Sequence, residues 1–294
     1  MKLVIHMGLH KTASTSFQNF LYLNRDNFLE AGVIYPKVEQ DKSHFILPHK
    51  ILKNDWVFVE NLLQNILTDA QQKMAKTVLI SSEDFEIFLL ESFMAKKFEE
   101  LAFELGYEEI DWVCVLRDQW EYFNSLYSQL SGDGACLNYS AAGHDIINFG
   151  HLSIGNGTER WRFAFDYDSF IDNFLDYIRG SFHVLSFTEF IDKDVVGKDF
   201  INSLINNEVS SELFWKVSLS SPGKTNIHFN KEAIEINYLA NFLGIEMSAD
   251  FYQQNKAIFG PLVDYRLSLI NLAKQDLLNK FQQKYPEISN RLVY

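Results

Sequence analysis

Apolar residues in this chain gather in short unbroken runs at Leu3 to Met7, Thr77 to Ser81, Ile110 to Leu116 and Phe182 to Phe187. Runs of that length, rich in Val, Ile and Leu, are the pattern of strands buried on both faces. Between them the apolar positions recur at helical spacing, predicting helices over 15–30, 56–72, 91–105, 119–130 and 167–178. Further helices are predicted over 230–243 and 262–284, and a short extended piece at 33–35 is closed by Pro36. Strands alternating with helices predict an α/β fold with a parallel sheet of at least four strands. The span 131–165, with glycines at 132, 134, 143, 150, 155 and 157, is expected to be an irregular insertion on one domain covering 1–294.

The first strand leads into a polar turn, Gly8 to Ser14, and then into the first helix. A strand, a small loop and a helix N-terminus point backbone N–H groups and the positive end of a helix dipole at one spot, which suits phosphate or sulfate. An ATP or GTP loop of the form G-x-x-x-x-G-K-[ST] starting at Gly8 would need glycine at 13 and lysine at 14, where this chain has Ala13 and Ser14. Its lysine is Lys11, followed by hydroxyls at Thr12, Ser14, Thr15 and Ser16. The run Thr77 to Ser81 delivers Ser81, Ser82 and Glu83 at the carboxyl end of a strand, where open parallel sheets bind ligands. The third run, Ile110 to Leu116, delivers Arg117 and, eight residues on, Ser125, a planar fork and a hydroxyl suited to a single phosphate.

Together these stretches resemble the sulfotransferases that use 3′-phosphoadenosine 5′-phosphosulfate (PAPS), whose phosphosulfate loop is close to H-x-G-x-x-K-T-[GA]-[ST]-T-x-x-Q. His6, Gly8, Lys11, Thr12, Ser14, Thr15 and Gln18 match, with Ala13 where glycine is more usual. The second signature, R-[DN]-P-x-x-x-x-x-S-x-Y, is matched by Arg117, Asp118, Ser125 and Tyr127, with Gln119 replacing the proline. The resemblance implies a P-loop NTPase-like three-layer fold and binding of PAPS by Gly8, His10, Lys11, Thr12, Ala13, Ser14, Thr15, Ser16, Arg117 and Ser125, without metal. Lys224, in a Gly223-Lys224-Thr225 turn, is a candidate for the 3′ side of that cofactor. Lys11 would stabilise the departing phosphate, and Glu83 would take the acceptor proton, with His44 as the alternative base. Bacterial members similar in their S-S-E suggest a carbohydrate acceptor.

Composition narrows the setting. With 47% apolar and 15% aromatic residues, 294 residues bury a large core. A net charge of −13 without a basic block speaks against a nucleic-acid or anionic-membrane surface, so a site for a polyanion must be a local basic pocket. No stretch has membrane-span length, and Lys2, His6 and His10 interrupt any apolar leader, so a cytoplasmic enzyme is expected. His44 and His49 lack metal-helix spacing. Two other classes stay open: a P-loop kinase using ATP, against which the lysine position speaks, and a nucleotide-binding protein without catalysis. The acceptor and the oligomeric state are left open by the sequence.

Overall fold

The computed structural model describes residues 1–38, 41–155, 160–191, 195–205, 231–245 and 248–286. It divides into two compact units where one domain was expected, the first holding the described residues of 1–117 and 167–205, the second those of 118–166 and 231–286.

The first unit is built on a five-stranded parallel sheet. Its strands are β1 (Lys2–His6), β2 (Val33–Ile34), β3 (Thr77–Ser81), β4 (Glu109–Leu116) and, after a hairpin that belongs to the second unit, β7 (Ser181–Ser186), in spatial order β2-β3-β1-β4-β7. Leu3, Val4 and Ile5 are wholly buried, because helices cover both sides of the sheet and leave β1 no solvent face. Side chains alternate across it. On one face Val4, Leu79 and Val113 pack with Phe17, Phe20 and Phe28 from α1 (Ser14–Leu23) and α2 (Arg25–Glu30). Trp112 faces the other way, into Phe85, Phe88, Phe98 and Phe174, with ring centroids 5.5–6.3 Å away.

The other helices here are α3 (Ile46–Leu52), α4 (Trp56–Gln72), α5 (Ile87–Leu90) and α6 (Ser92–Leu105). The helix expected over 15–30 is two helices, separated at Asn24, whose side-chain amide donates to the Phe20 carbonyl. Buried Glu99 ties α6 to the sheet: it accepts from Trp112 Nε1 at 2.7 Å and from the backbone N–H groups of Arg179 and Gly180 at 2.6 and 3.1 Å. The chain leaves β1 toward β2 on one side and β4 toward β7 on the other. The switch in chain direction across the sheet therefore falls between β1 and β4, whose carboxyl ends are where open parallel sheets bind ligands.

The second unit contains α7 (Gln119–Gly132), α8 (Tyr139–Phe149) and the antiparallel hairpin β5 (His151–Gly155) and β6 (Arg160–Ala164). The first unit continues with α9 (Tyr167–Leu175), α10 (Phe187–Ile191) and α11 (Lys198–Ile205); the second resumes with α12 (Lys231–Leu243), α13 (Ala249–Gln254) and α14 (Lys256–Lys284). The expectation of an irregular 131–165 is thus corrected. Its Asn and Gly residues punctuate regular elements: Asn138 caps α8 by accepting from the Ala141 N–H, and Gly150 ends it at φ 73°. Gly143 has a packing role, since a Cβ there would lie 2.7 Å from Leu277 of α14. Glu235, 1% exposed, accepts from Arg266 Nε at 2.6 Å and from the Tyr127 hydroxyl at 3.3 Å. Among the described residues no helix is long and apolar enough to cross a membrane.

Candidate functional site

The turn after β1 is held in shape by its own side chains. Thr12 Oγ1 donates to the Leu9 carbonyl at 2.6 Å and Ser14 Oγ to the same oxygen at 3.4 Å, so both hydroxyls are buried in the loop's framework. Gly8 (φ 42°), Lys11 (φ 61°) and Ala13 (φ 63°) are all left-handed, the kind of backbone that builds concave arrays of N–H groups. A Cβ on Gly8 would meet Ser14 Oγ at 3.0 Å and His6 Cε1 at 3.4 Å, which is why this position takes glycine. Ala13 is the N-cap of α1 and caps it with no side chain, so the start of the helix is available to an exogenous acceptor. Thr15 is exposed and Ser16 half-buried on the first turn.

The conformation of Ala13 answers what its departure from glycine costs. A left-handed non-glycine residue is disfavoured by roughly 1–2 kcal/mol, part of which glycine gives back as unfolded-chain entropy. Ala13→Gly is therefore expected to raise unfolding stability by roughly 0.5–1 kcal/mol, read as a higher denaturant midpoint at unchanged slope. An unchanged or lower midpoint would contradict the strain.

His10 is engaged by carboxylates from the turn after β3. Its backbone N–H and its Nδ1–H both donate to Glu86 Oε2, at 3.1 and 2.9 Å, and its Nε2–H donates to Asp84 Oδ1 at 3.2 Å. His49 of α3 approaches the second oxygen of Asp84 at 3.2 Å. Burial works against the imidazolium, but the hydrogen bonds to Asp84 and Glu86 and the charges of Glu86 and Glu83 outweigh it, raising the His10 pKa to about 10. Asp84 is brought down to about 2: burial opposes ionisation, and the two histidines override it. Beneath the loop lies a cation held by two acids, one of them, Glu86, wholly buried.

Glu83 opens the same 3-10 turn, Glu83–Glu86, which Ser82 caps by accepting from the Asp84 N–H. Glu83 Oε2 accepts from Gln18 Nε2 at 2.7 Å, and that nitrogen also reaches Ser81 Oγ at 3.3 Å. Ser81 Oγ in turn shares a 2.8 Å hydrogen bond with His6 Nδ1. The network thus runs from a half-buried carboxylate through α1 to the end of β1. His6 lies among Phe17, Phe190 and Phe200, its Nε2 buried without a hydrogen-bond partner, and burial drives its pKa down to about 3.

His44 is 1% exposed and pins its segment to β3. Nδ1 accepts from the Ser81 N–H at 3.0 Å while Nε2–H donates to the Pro36 carbonyl at 3.0 Å. Burial, resisted by its bonds to Pro36 and Ser81, lowers its pKa to about 4, so it is a neutral strut with both nitrogens engaged.

These histidines set a stability optimum. Below pH 6.5 the unfolded chain protonates His6 and His44 while the fold keeps both neutral, so stability falls as acid is added, by roughly 3 kcal/mol between pH 6.5 and 5. His10 acts in the opposite sense: raised in the fold, it contributes fully below 6.5, and that contribution drains away as pH rises toward 10, roughly 2 kcal/mol by pH 8. Denaturant unfolding at pH 5, 6.5 and 8 is expected to peak at the middle value, and His10→Gln to flatten the alkaline limb only. A curve rising steadily from pH 6.5 to 8 would contradict this.

Arg117 follows β4 and is part of the first unit. Its Nη1 donates to the Lys11 carbonyl at 2.9 Å, its guanidinium lies 4.6 Å over the Phe187 ring, and its own carbonyl accepts from the Tyr167 hydroxyl at 2.9 Å. Arg117 thus contacts the loop directly, while Glu83 is tied through Gln18 of α1 to Ser81 and His6 at the ends of β3 and β1. Ser125, by contrast, is a half-buried residue of α7 in the second unit. Lys224 lies outside the described residues. The sequence reading missed Asp84, Glu86 and His49 as supports of the loop and Ser81 and His6 as supports of Glu83. The acidic run E-D-F-E behind Ser82 was the available signal. Compared with known proteins, the chain matches no family model, no curated protein and no solved structure.

Proposed function

We propose that this chain is a PAPS-dependent sulfotransferase on a P-loop NTPase-like fold, moving a sulfuryl group to a hydroxyl or amine of an acceptor, a glycan being the class the S-S-E resemblance favours. The observation that carries this reading is the contact between the turn after β1 and the residue that follows β4: the Arg117 guanidinium donates to the main-chain carbonyl of Lys11 at 2.9 Å, where Lys11 holds a left-handed conformation. The loop fits a 5′-phosphosulfate: Gly8 holds φ 42°, which disfavours a side chain there, the N-cap of α1 makes no side-chain cap, and Lys11 stands three residues after Gly8 rather than at the γ-phosphate position of an ATP loop.

When bound, PAPS supplies an activated sulfuryl group whose leaving group is a phosphate. The chain's own residues then divide the work. Backbone N–H groups of the loop and the Lys11 ammonium oppose the negative charge that gathers on the leaving oxygen. Arg117 offers a forked cation for the 3′-phosphate, the contact that separates this nucleotide from ATP. Glu83 accepts the acceptor's proton, its carboxylate oriented by Gln18. His44 is not assigned this role, because both its nitrogens already bond to the main chain.

The test is thermal unfolding in EDTA with adenosine 3′,5′-bisphosphate. At a hundred times its dissociation constant the ligand adds about 2.7 kcal/mol, a rise in melting temperature of several degrees, and Lys11→Ala is expected to remove most of it. Stabilisation by Mg·ATP alone would overturn the reading.

A further inference from the structure

Helix α14 is apolar on two sides. Gly260, Val263, Leu277 and Phe281 are buried within the second unit, where α14 packs on α7, α8 and α12. On another side Ile258, Leu262, Tyr265, Leu269 and Leu272 are exposed, by 65, 45, 61, 45 and 76%. Their spacing is 4-3-4-3, the repeat of a helix seam that receives a second helix by knobs-into-holes packing. The same register puts Asn255 before the seam and Asp276 after it, so it is about two heptads long with polar ends.

We infer that this seam is a dimer interface, its occupant the α14 seam of a second copy of the chain. Three observations select that occupant. A helix apolar on two sides needs a second covering, since a solvated surface helix carries a single apolar stripe. The five side chains leave roughly 600 Å² uncovered per copy, so pairing two copies buries about 1,200 Å², the lower edge of stable interfaces. A single self-complementary stripe closes as a two-fold pair without leaving an open end. A bilayer is the poorer occupant on the charge of the whole chain, −13, which an anionic membrane surface would repel. The inference does not depend on the reaction proposed above, because no residue of the seam belongs to the loop, Glu83 or Arg117.

Sedimentation velocity of the full chain between about 1 and 100 µM tests it. A dimer fraction that grows with concentration is expected, and Leu269→Glu, with a buried charge at each crossing, is expected to weaken association at least about a hundred-fold. Leu272→Ser, at the most exposed position, keeps the test open if the glutamate variant disturbs α14, and should weaken association about ten-fold with an unchanged circular dichroism melt. A wild type that stays monomeric throughout, a dimer indifferent to both substitutions, or a monomer that floats with phosphatidylserine vesicles through these leucines would each overturn the proposal.

Discussion

Exchanging Glu83 for glutamine is expected to slow sulfuryl transfer by roughly 10²–10⁴-fold, the usual contribution of a positioned general base, while bisphosphate affinity changes by less than about two-fold. The substitution is nearly isosteric, and Gln18 Nε2, now 2.7 Å from Glu83 Oε2, can donate to the new amide oxygen, so the surrounding network keeps its shape. Only the capacity to take up a proton is removed. Single-turnover transfer from PAPS measures the chemical step, and calorimetry on the same preparation measures the nucleotide site. A loss in rate without a loss in binding is the signature of a group that acts on the acceptor. A glutamine variant as fast as wild type would remove Glu83 from the chemistry.

Glu86→Ala is expected to be the most damaging single change to the fold around the loop. Glu86 accepts from both the backbone N–H and the Nδ1–H of His10, and alanine would leave a buried imidazolium facing Asp84 alone. Breaking one side of a buried ion pair costs roughly 3–5 kcal/mol, a large share of a domain's stability. Nucleotide affinity should fall along with stability, because Lys11 is the next residue in the chain. Glu86→Gln retains an acceptor for the N–H and is expected to cost less. In a double-mutant cycle with His10→Gln the double variant should lose less than the sum of the two single losses, and strict additivity would mean that the pair is uncoupled.

Much of the first unit was legible in the chain itself. Thr77–Ser81 has the predicted bounds, and the other three predicted strands begin one residue earlier than expected, because a sheet buried on both faces leaves unbroken apolar runs. The helix over Trp56–Gln72 was equally plain, with a single continuous apolar stripe. The hairpin β5–β6 was hidden by composition: glycines at 150, 155 and 157 read as irregular chain, whereas Gly150 ends α8 and Gly155 ends β5. Residue-to-residue pairing was the other limit. Nothing near His10 in sequence announces that its partners lie 74 and 76 positions away, or that His44, 37 positions from Ser81, spends its ring on main-chain groups. Charge on a histidine is a property of the assembled neighbourhood. His6, His10 and His44 begin with the same side chain and end with pKa values of about 3, 10 and 4.

The loop at Lys11 and the arginine at 117 are proposed to form together a site for a 3′-phosphorylated nucleotide. Its most direct test is calorimetric titration with adenosine 3′,5′-bisphosphate in EDTA, beside 5′-AMP and Mg·ATP, on the wild type and on Arg117→Ala. The account predicts tight metal-free binding of the bisphosphate, weaker binding of the other two, and a loss of at least about ten-fold for the bisphosphate in the variant with little change for 5′-AMP. Preferential binding of Mg·ATP, or equal affinity for 5′-AMP and the bisphosphate in both proteins, would contradict it.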